Sequence, residues 1–196
     1  MGLNTNDVYL LGPDQAKATG AILKAPVGTA LPTDARTALP GAWATNSGYV
    51  AESGVTLNIE RSTANIHDWG LKNVRVAYTD FGVTITFEFL AYDEFAAKAM
   101  FGDDNVTVTA ATTTAGQIIA VNLTSDLPAA AAWCFNMKDG DRRARIAVPN
   151  GQVTQVGAST FAPGAANIWP VTLTCFDDGN GTHAKLIFDN GEMTSL

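Results

Sequence analysis

From Val83 to Leu90 the residues at odd positions are large and apolar: Val83, Ile85, Phe87 and Phe89 fall on one side, while Thr84, Thr86 and Glu88 fall on the other. Period-two alternation marks a β-strand with one dry and one wet face, and a helix cannot satisfy it. A chain holding such a strand must bring a second apolar layer against the dry face. Less regular runs of this kind occupy Val55 to Glu60, Val74 to Tyr78, Val106 to Ala110 and Gln117 to Leu123. More follow at Ala131 to Met137, Arg143 to Val148, Val153 to Val156, Val171 to Phe176 and Ala184 to Phe188. The turn-forming stretches KDGD, PNG, DDGNG and DNG separate the later runs, the spacing expected of antiparallel strands. The expected fold is mainly β, an antiparallel β-sandwich or barrel.

One segment breaks the alternation. Asp93 to Gly102 sets Phe95, Ala96, Ala99 and Met100 on one helical face, with Asp93 suited to cap its start and Gly102 its end. This predicts one short flanking α-helix, packed over the dry face that carries Phe87 and Phe89. Before the strands begin, Gly and Pro recur too often for a long helix. Yet Val8, Tyr9, Leu10, Leu11, Ile22, Leu23, Leu31, Leu39, Trp43 and Tyr49 make this stretch too apolar for a solvated linker. Residues 1–50 therefore read as an arm with short strands that contacts neighbouring subunits, and residues 51–196 as the β-domain. A length of 196 residues suits one domain with such an arm.

Composition narrows the function. With 12 Lys and Arg against 19 Asp and Glu, the net charge of -7 argues against a groove that grips phosphates. No apolar run approaches the roughly 20 residues of a membrane-spanning helix, and no basic start leads into a long apolar stretch. No membrane partner is expected, and synthesis is expected in the cytoplasm. Cys134 and Cys175 lie in apolar strand-like runs without metal or redox spacing, as buried reduced thiols do. His67 and His183 are the only histidines, and neither accompanies a nucleophile or zinc motif. His67 is next to Asp68, but adjacent residues of an extended strand face opposite ways. No catalytic residue, cofactor or metal is expected. Asp177 to Gly181 lacks the alternating ligands and final Glu of a calcium loop and reads as a hairpin turn. Arg143 and Arg145 share one strand face, solvated, salt-bridged at a subunit interface, or a phosphate site.

The order of these features carries a resemblance. Met1 to Asp14 (MGLNTNDVYLLGPD), Gly48 to Thr63 with Glu52 and Arg61-Ser62-Thr63, the Asp68-Trp69 pair and the helix exit Phe101-Gly102-Asp103-Asp104 resemble the major tail (tail-tube) protein of long-tailed, non-contractile phages of actinobacterial hosts. The likeness covers residues 1 to 105 well and the remainder by its β-rich pattern. Where such proteins often carry an acidic run after Gly-Tyr-Val, this chain has Ala51-Glu52-Ser53.

The resemblance implies a structural virion protein of the tail, a small β-sandwich or barrel whose hexameric rings stack into a hollow tube that conducts the phage genome. Its implied partners are further copies of itself, other tail proteins, and double-stranded DNA in transit without specific binding; a cationic wall would retard that passage. In a ring each exposed carboxylate becomes a circle of negative charge. Glu88, then Glu60, with Thr84 and Thr86 are the candidate lumen-facing residues. Leu10, Leu11, Trp43, Tyr49, Arg143 and Arg145 are the candidate subunit-interface residues. The alternative is a β-rich binding or capsid-decoration module that uses exposed aromatic residues as stacking platforms.

Overall fold

The computed structural model describes residues 8–13, 21–43 and 45–192. Its strands are β1 (Gly12–Pro13), β2 (Ile22–Ala25), β3 (Thr45–Asn46), β4 (Val50–His67), β5 (Asn73–Phe89), β6 (Val106–Thr109), β7 (Ile118–Val121), β8 (Ala131–Asp139), β9 (Arg142–Val156), β10 (Trp169–Phe176) and β11 (Lys185–Asp189). One α-helix, α1 (Glu94–Phe101), lies between β5 and β6. The fold is mainly β and antiparallel, as expected. The main sheet runs β3-β2-β8-β9-β10-β5-β4, with β1 beside β8 and β11 beside β9, while β6 and β7 form a separate pair.

The sheet folds over on itself. On the path β8-β9-β10-β5, strands β8 and β5 are three steps apart, roughly 14 Å in a flat sheet at about 4.8 Å per step. Yet the rings of Phe135 on β8 and Phe87 on β5 lie 5.5 Å apart. The two halves therefore face each other as the layers of a sandwich do. The core between them holds Ile85, Phe87, Phe89, Trp133, Phe135, Val148, Val153 and Leu173, all buried. The alternation of Val83 to Phe89 is thus the signature of the strand that lays its dry face on this core.

β9 is where the sheet turns over. The stretch Pro149-Asn150-Gly151, expected as a turn, lies inside this one strand of 15 residues. Before it, β9 pairs with β8 and β11; after it, with β10. Pro149, which has no N–H to give, sits where the ladder changes partners. Gly151 is fixed by crowding: a Cβ there would come within 2.9 Å of Trp133 Cδ1 and 3.2 Å of Leu173 Cδ1. The Trp133 indole N–H donates to the Gly151 carbonyl at 3.0 Å, so backbone and ring meet directly.

The helix caps as read from the sequence. The Asp93 carboxylate accepts from the Ala96 N–H at 2.7 Å, and Gly102 closes the end with φ 88°, a left-handed angle that suits glycine. Phe95, Ala96, Ala99 and Met100 join the core, with Phe95 6.0 Å from Phe89.

The stretch expected as an arm is partly woven into this body. β2 pairs with β8 through Ile22↔Phe135 and Leu23↔Cys134, and β3 pairs with β2. Leu23, Ala25, Trp43, Ala132 and Cys134 form a second apolar cluster on the other side of β8.

Candidate assembly and channel surfaces

β4 and β5 are much longer than the sheet that supports them. β10 pairs with β5 only from Val83 to Phe89, so from Asn73 to Gly82 the hairpin has no third strand among the described residues. At about 3.3 Å per residue this distal part reaches roughly 30 Å from the body. Alternation continues along it, but neither side is covered. Val74, Val76 and Tyr78 fall on one side, and Ile66 lies across from Arg75 on the other; all four apolar residues are exposed.

The turn closing the hairpin is ordered by its own bonds. The Asp68 N–H donates to the Lys72 carbonyl at 2.9 Å, and the Leu71 N–H to the Asp68 carbonyl at 3.0 Å. The Asp68 carboxylate accepts from the Lys72 N–H at 2.9 Å. Trp69 stands fully in solvent, and Leu71 is held at φ 61°, a left-handed angle unusual for a leucine. A two-stranded hairpin alone is marginal in water. One that also exposes Ile66, Trp69, Leu71, Val74, Val76 and Tyr78 calls for a covering partner.

The wet face of the sheet is the second surface. Across β4, β5 and β10 the register sets Thr56 beside Thr86 and Asn58 beside Thr84, then Thr86 beside Thr172 and Thr84 beside Thr174. Two carboxylates punctuate this uncharged field. Glu88 is half-buried and accepts from the Ser53 hydroxyl at 2.8 Å; Glu60 is exposed and accepts from the Asn58 amide at 2.8 Å. Thr86 is exposed and Thr84 half-buried. No Lys or Arg stands at these register positions. The nearest cation along β4, Arg61, turns its guanidinium over the Phe81 ring at 5.6 Å.

The expected interface residues part company. Leu10 and Tyr49 are exposed, and Leu11 and Arg143 are half-buried. Trp43 and Arg145 are corrections, since both are interior to this chain. Trp43 is 2% exposed in the second cluster, its indole N–H donating to the Ala30 carbonyl at 3.4 Å. Arg145 is 6% exposed; its guanidinium donates to Asn136 Oδ1 at 2.7 Å and to the carbonyls of Asp34 and Thr37 at 2.8 and 3.3 Å. Strand alternation placed it on the face of Arg143 but could not show that the segment 34–37 folds over that face. The guanidinium anchors this segment to β8 and β9.

The groups considered for chemistry are occupied otherwise. Burial pushes the thiols of Cys134 and Cys175 up to about 12, leaving them protonated at neutral pH. His67 ends β4 in solvent, and His183 packs its ring edge-on to Phe81 at 4.9 Å. Asp177 accepts from the N–H groups of Gly179 and Gly181, and Asp178 from those of Asn180 and Thr182, the latter bonds holding Asp178 below its ordinary pKa. These carboxylates serve the turn. Among the described residues no group of three or more His, Cys, Asp or Glu could hold a metal, and no helix is long and apolar enough to cross a membrane.

The described surface thus combines a polar sheet face, on which Glu60 and Glu88 are the charged groups, with a long hairpin open on both sides. The family model described as phage tail tube protein matches residues 1–195, and the chain belongs to that family. It is a structural protein of the phage tail. A search of curated proteins finds no match.

Proposed function

We propose that this chain is the major subunit of a hollow tail tube, that its copies close into hexameric rings which stack, and that the phage genome passes through the channel into the host. The uncovered hairpin carries this reading. It exposes apolar side chains on both of its sides, and only association can bury them. Among the described residues β4, of 18 residues, is also the free edge of the main sheet. Such an edge presents unpaired N–H and C=O groups to a neighbour, and repeated head-to-tail addition closes a ring. Leu10, Leu11, Tyr49 and Arg143 remain the candidate ring contacts. The Thr- and Asn-rich face with Glu88 and Glu60 is the proposed channel wall, suited to DNA in transit because it offers no cation to hold phosphates.

The direct test shortens the hairpin. Arg61 and Phe81 are register partners, so an Asn-Gly turn joining them removes Ser62 to Asp80 without touching the core. The shortened chain is expected to fold and stay monomeric at concentrations where the full chain assembles. Unchanged assembly would overturn the role given to the hairpin.

A further inference from the structure

The hairpin tip is one end of β5, and the other end carries an aromatic cup. Beyond Phe89 the chain continues through Leu90 to Tyr92, and β10 starts beside it at Trp169, the register partner of Phe89. Leu90, Tyr92, Phe161, Asn167 and Trp169 line an open cavity of about 460 Å3. Trp169 sits at its centre, 4.8 Å from the Tyr92 ring and 5.7 Å from the Phe161 ring. Phe161 is 71% exposed although its ring packs against Trp169. Tip and cup thus mark opposite ends of one strand of 17 residues, each presenting aromatic surface to water.

Their charges are complementary. The tip residues 66–76 carry Lys72 and Arg75 against the single carboxylate of Asp68. The segments that build and flank the cup, 47–57, 83–93 and 153–176, carry Glu52, Glu88 and Asp93 and no Lys or Arg, while Glu94 just beyond is paired with Lys98 at 2.6 Å. In a chain of net charge -7 the tip is thus locally cationic and the cup end acidic. The tip is also preorganised: three hydrogen bonds fix its turn, and Leu71 is kept in a left-handed conformation, a strain that marks functional sites when the surroundings enforce it.

We infer that the hairpin tip of one copy, through Trp69 and Leu71, seats in the cup formed by Leu90, Tyr92, Phe161 and Trp169 of the next copy. This rests on the self-association proposed above and names the acceptor for the hairpin. The occupant is a second copy because one chain carries both halves at opposite ends, with matching apolar surface and opposite charge. A contact between two different patches of identical chains does not close on itself in a pair; it propagates, as stacking requires. Aromatic anchors in a desolvated pocket are the usual carriers of interface energy.

Disulfide trapping tests the seat. Lys72 flanks the tip anchors and Asn167 lines the cup, so Lys72→Cys with Asn167→Cys leaves every aromatic in place. The native thiols are buried and protonated, and so do not compete. Under mild oxidation of assembled protein the double variant is expected to give a covalent ladder well beyond dimers, and each single variant none. Trp69→Ala in the double variant is expected to raise the concentration needed for the ladder at least about tenfold, the loss typical of an interface anchor. Its fold is checked by an unchanged circular dichroism melt. Dimers from Lys72→Cys alone, or tubes that form without a ladder, would overturn the seat and leave self-association standing. A wild-type chain that never associates would overturn self-association, and the seat with it.

Discussion

Thr86 is the cleanest single position at which to ask whether the wet face meets DNA. Glu88 is held by the Ser53 hydroxyl and lies near the aromatic cup, so changing it disturbs more than charge. Thr86 is exposed, between Thr56 on one side and Thr172 on the other. In a ring of identical chains Thr86→Lys would set a circle of positive charge around the channel. It is expected to leave assembly intact and to slow genome ejection at low salt. The slowing should fade as salt rises, because the Debye length contracts from about 30 Å at 0.01 M to about 8 Å at 0.15 M. Ejection at the wild-type rate in low salt would take Thr86 off the channel wall.

Elements decide the stability of the body. α1 closes the core through Phe95, whose ring lies 6.0 Å from Phe89 and 6.3 Å from Trp133. Phe95→Ala should destabilise the fold by roughly 3 to 5 kcal/mol, read as a lower denaturant midpoint at constant slope. A loss under about 1 kcal/mol would make the helix peripheral. A second contact ties the N-terminal stretch to β11: the Arg36 guanidinium pairs with the Asp189 carboxylate, which also accepts from the Gly191 N–H at 2.9 Å. These partners, Arg36 first, hold Asp189 below its ordinary pKa. A carboxyl lowered on folding adds stability above its unfolded pKa of about 3.9, and that contribution is lost as pH falls through the lowered folded value. Asp189→Asn should therefore lower the melting temperature at neutral pH and converge with wild type under strong acid. A constant gap at every pH would show that the charge plays no part.

The same elements show what the chain made legible. Val83 to Phe89 and Asp93 to Gly102 were readable because each has one buried side, which stamps its period on the residues. Of the long hairpin, Val55 to Glu60 and Val74 to Tyr78 are legible as strand runs, whereas Arg61 to His67, with two open sides, carries no clean alternation. β9 was divided at Pro149-Asn150-Gly151 because a turn and a strand that changes partners favour the same residues. Trp43 and Arg145 read from the chain as interface residues because what buries them, the Ala30 carbonyl over the indole and three oxygen atoms around the guanidinium, is set by tertiary structure. Of the wet face, Glu60, Thr84, Thr86 and Glu88 could be picked out, whereas the pairing of the cup with the tip depends on β5 running unbroken between them.

At the scale of the whole molecule, one chain combines a closed sandwich core with surfaces that a monomer leaves unfinished. The free edge of β4 offers lateral pairing, and the hairpin reaches beyond the body. A polar face without aligned cations lies on the same sheet. The proposal drawn from them is a tube, with growth lateral at the edge, axial at the hairpin and a channel inside. Electron microscopy of the concentrated full-length protein, alone and with an initiating tail complex, tests that proposal most directly. The expected images are stacked sixfold rings around an open channel; compact monomers or closed small oligomers under both conditions would contradict the account.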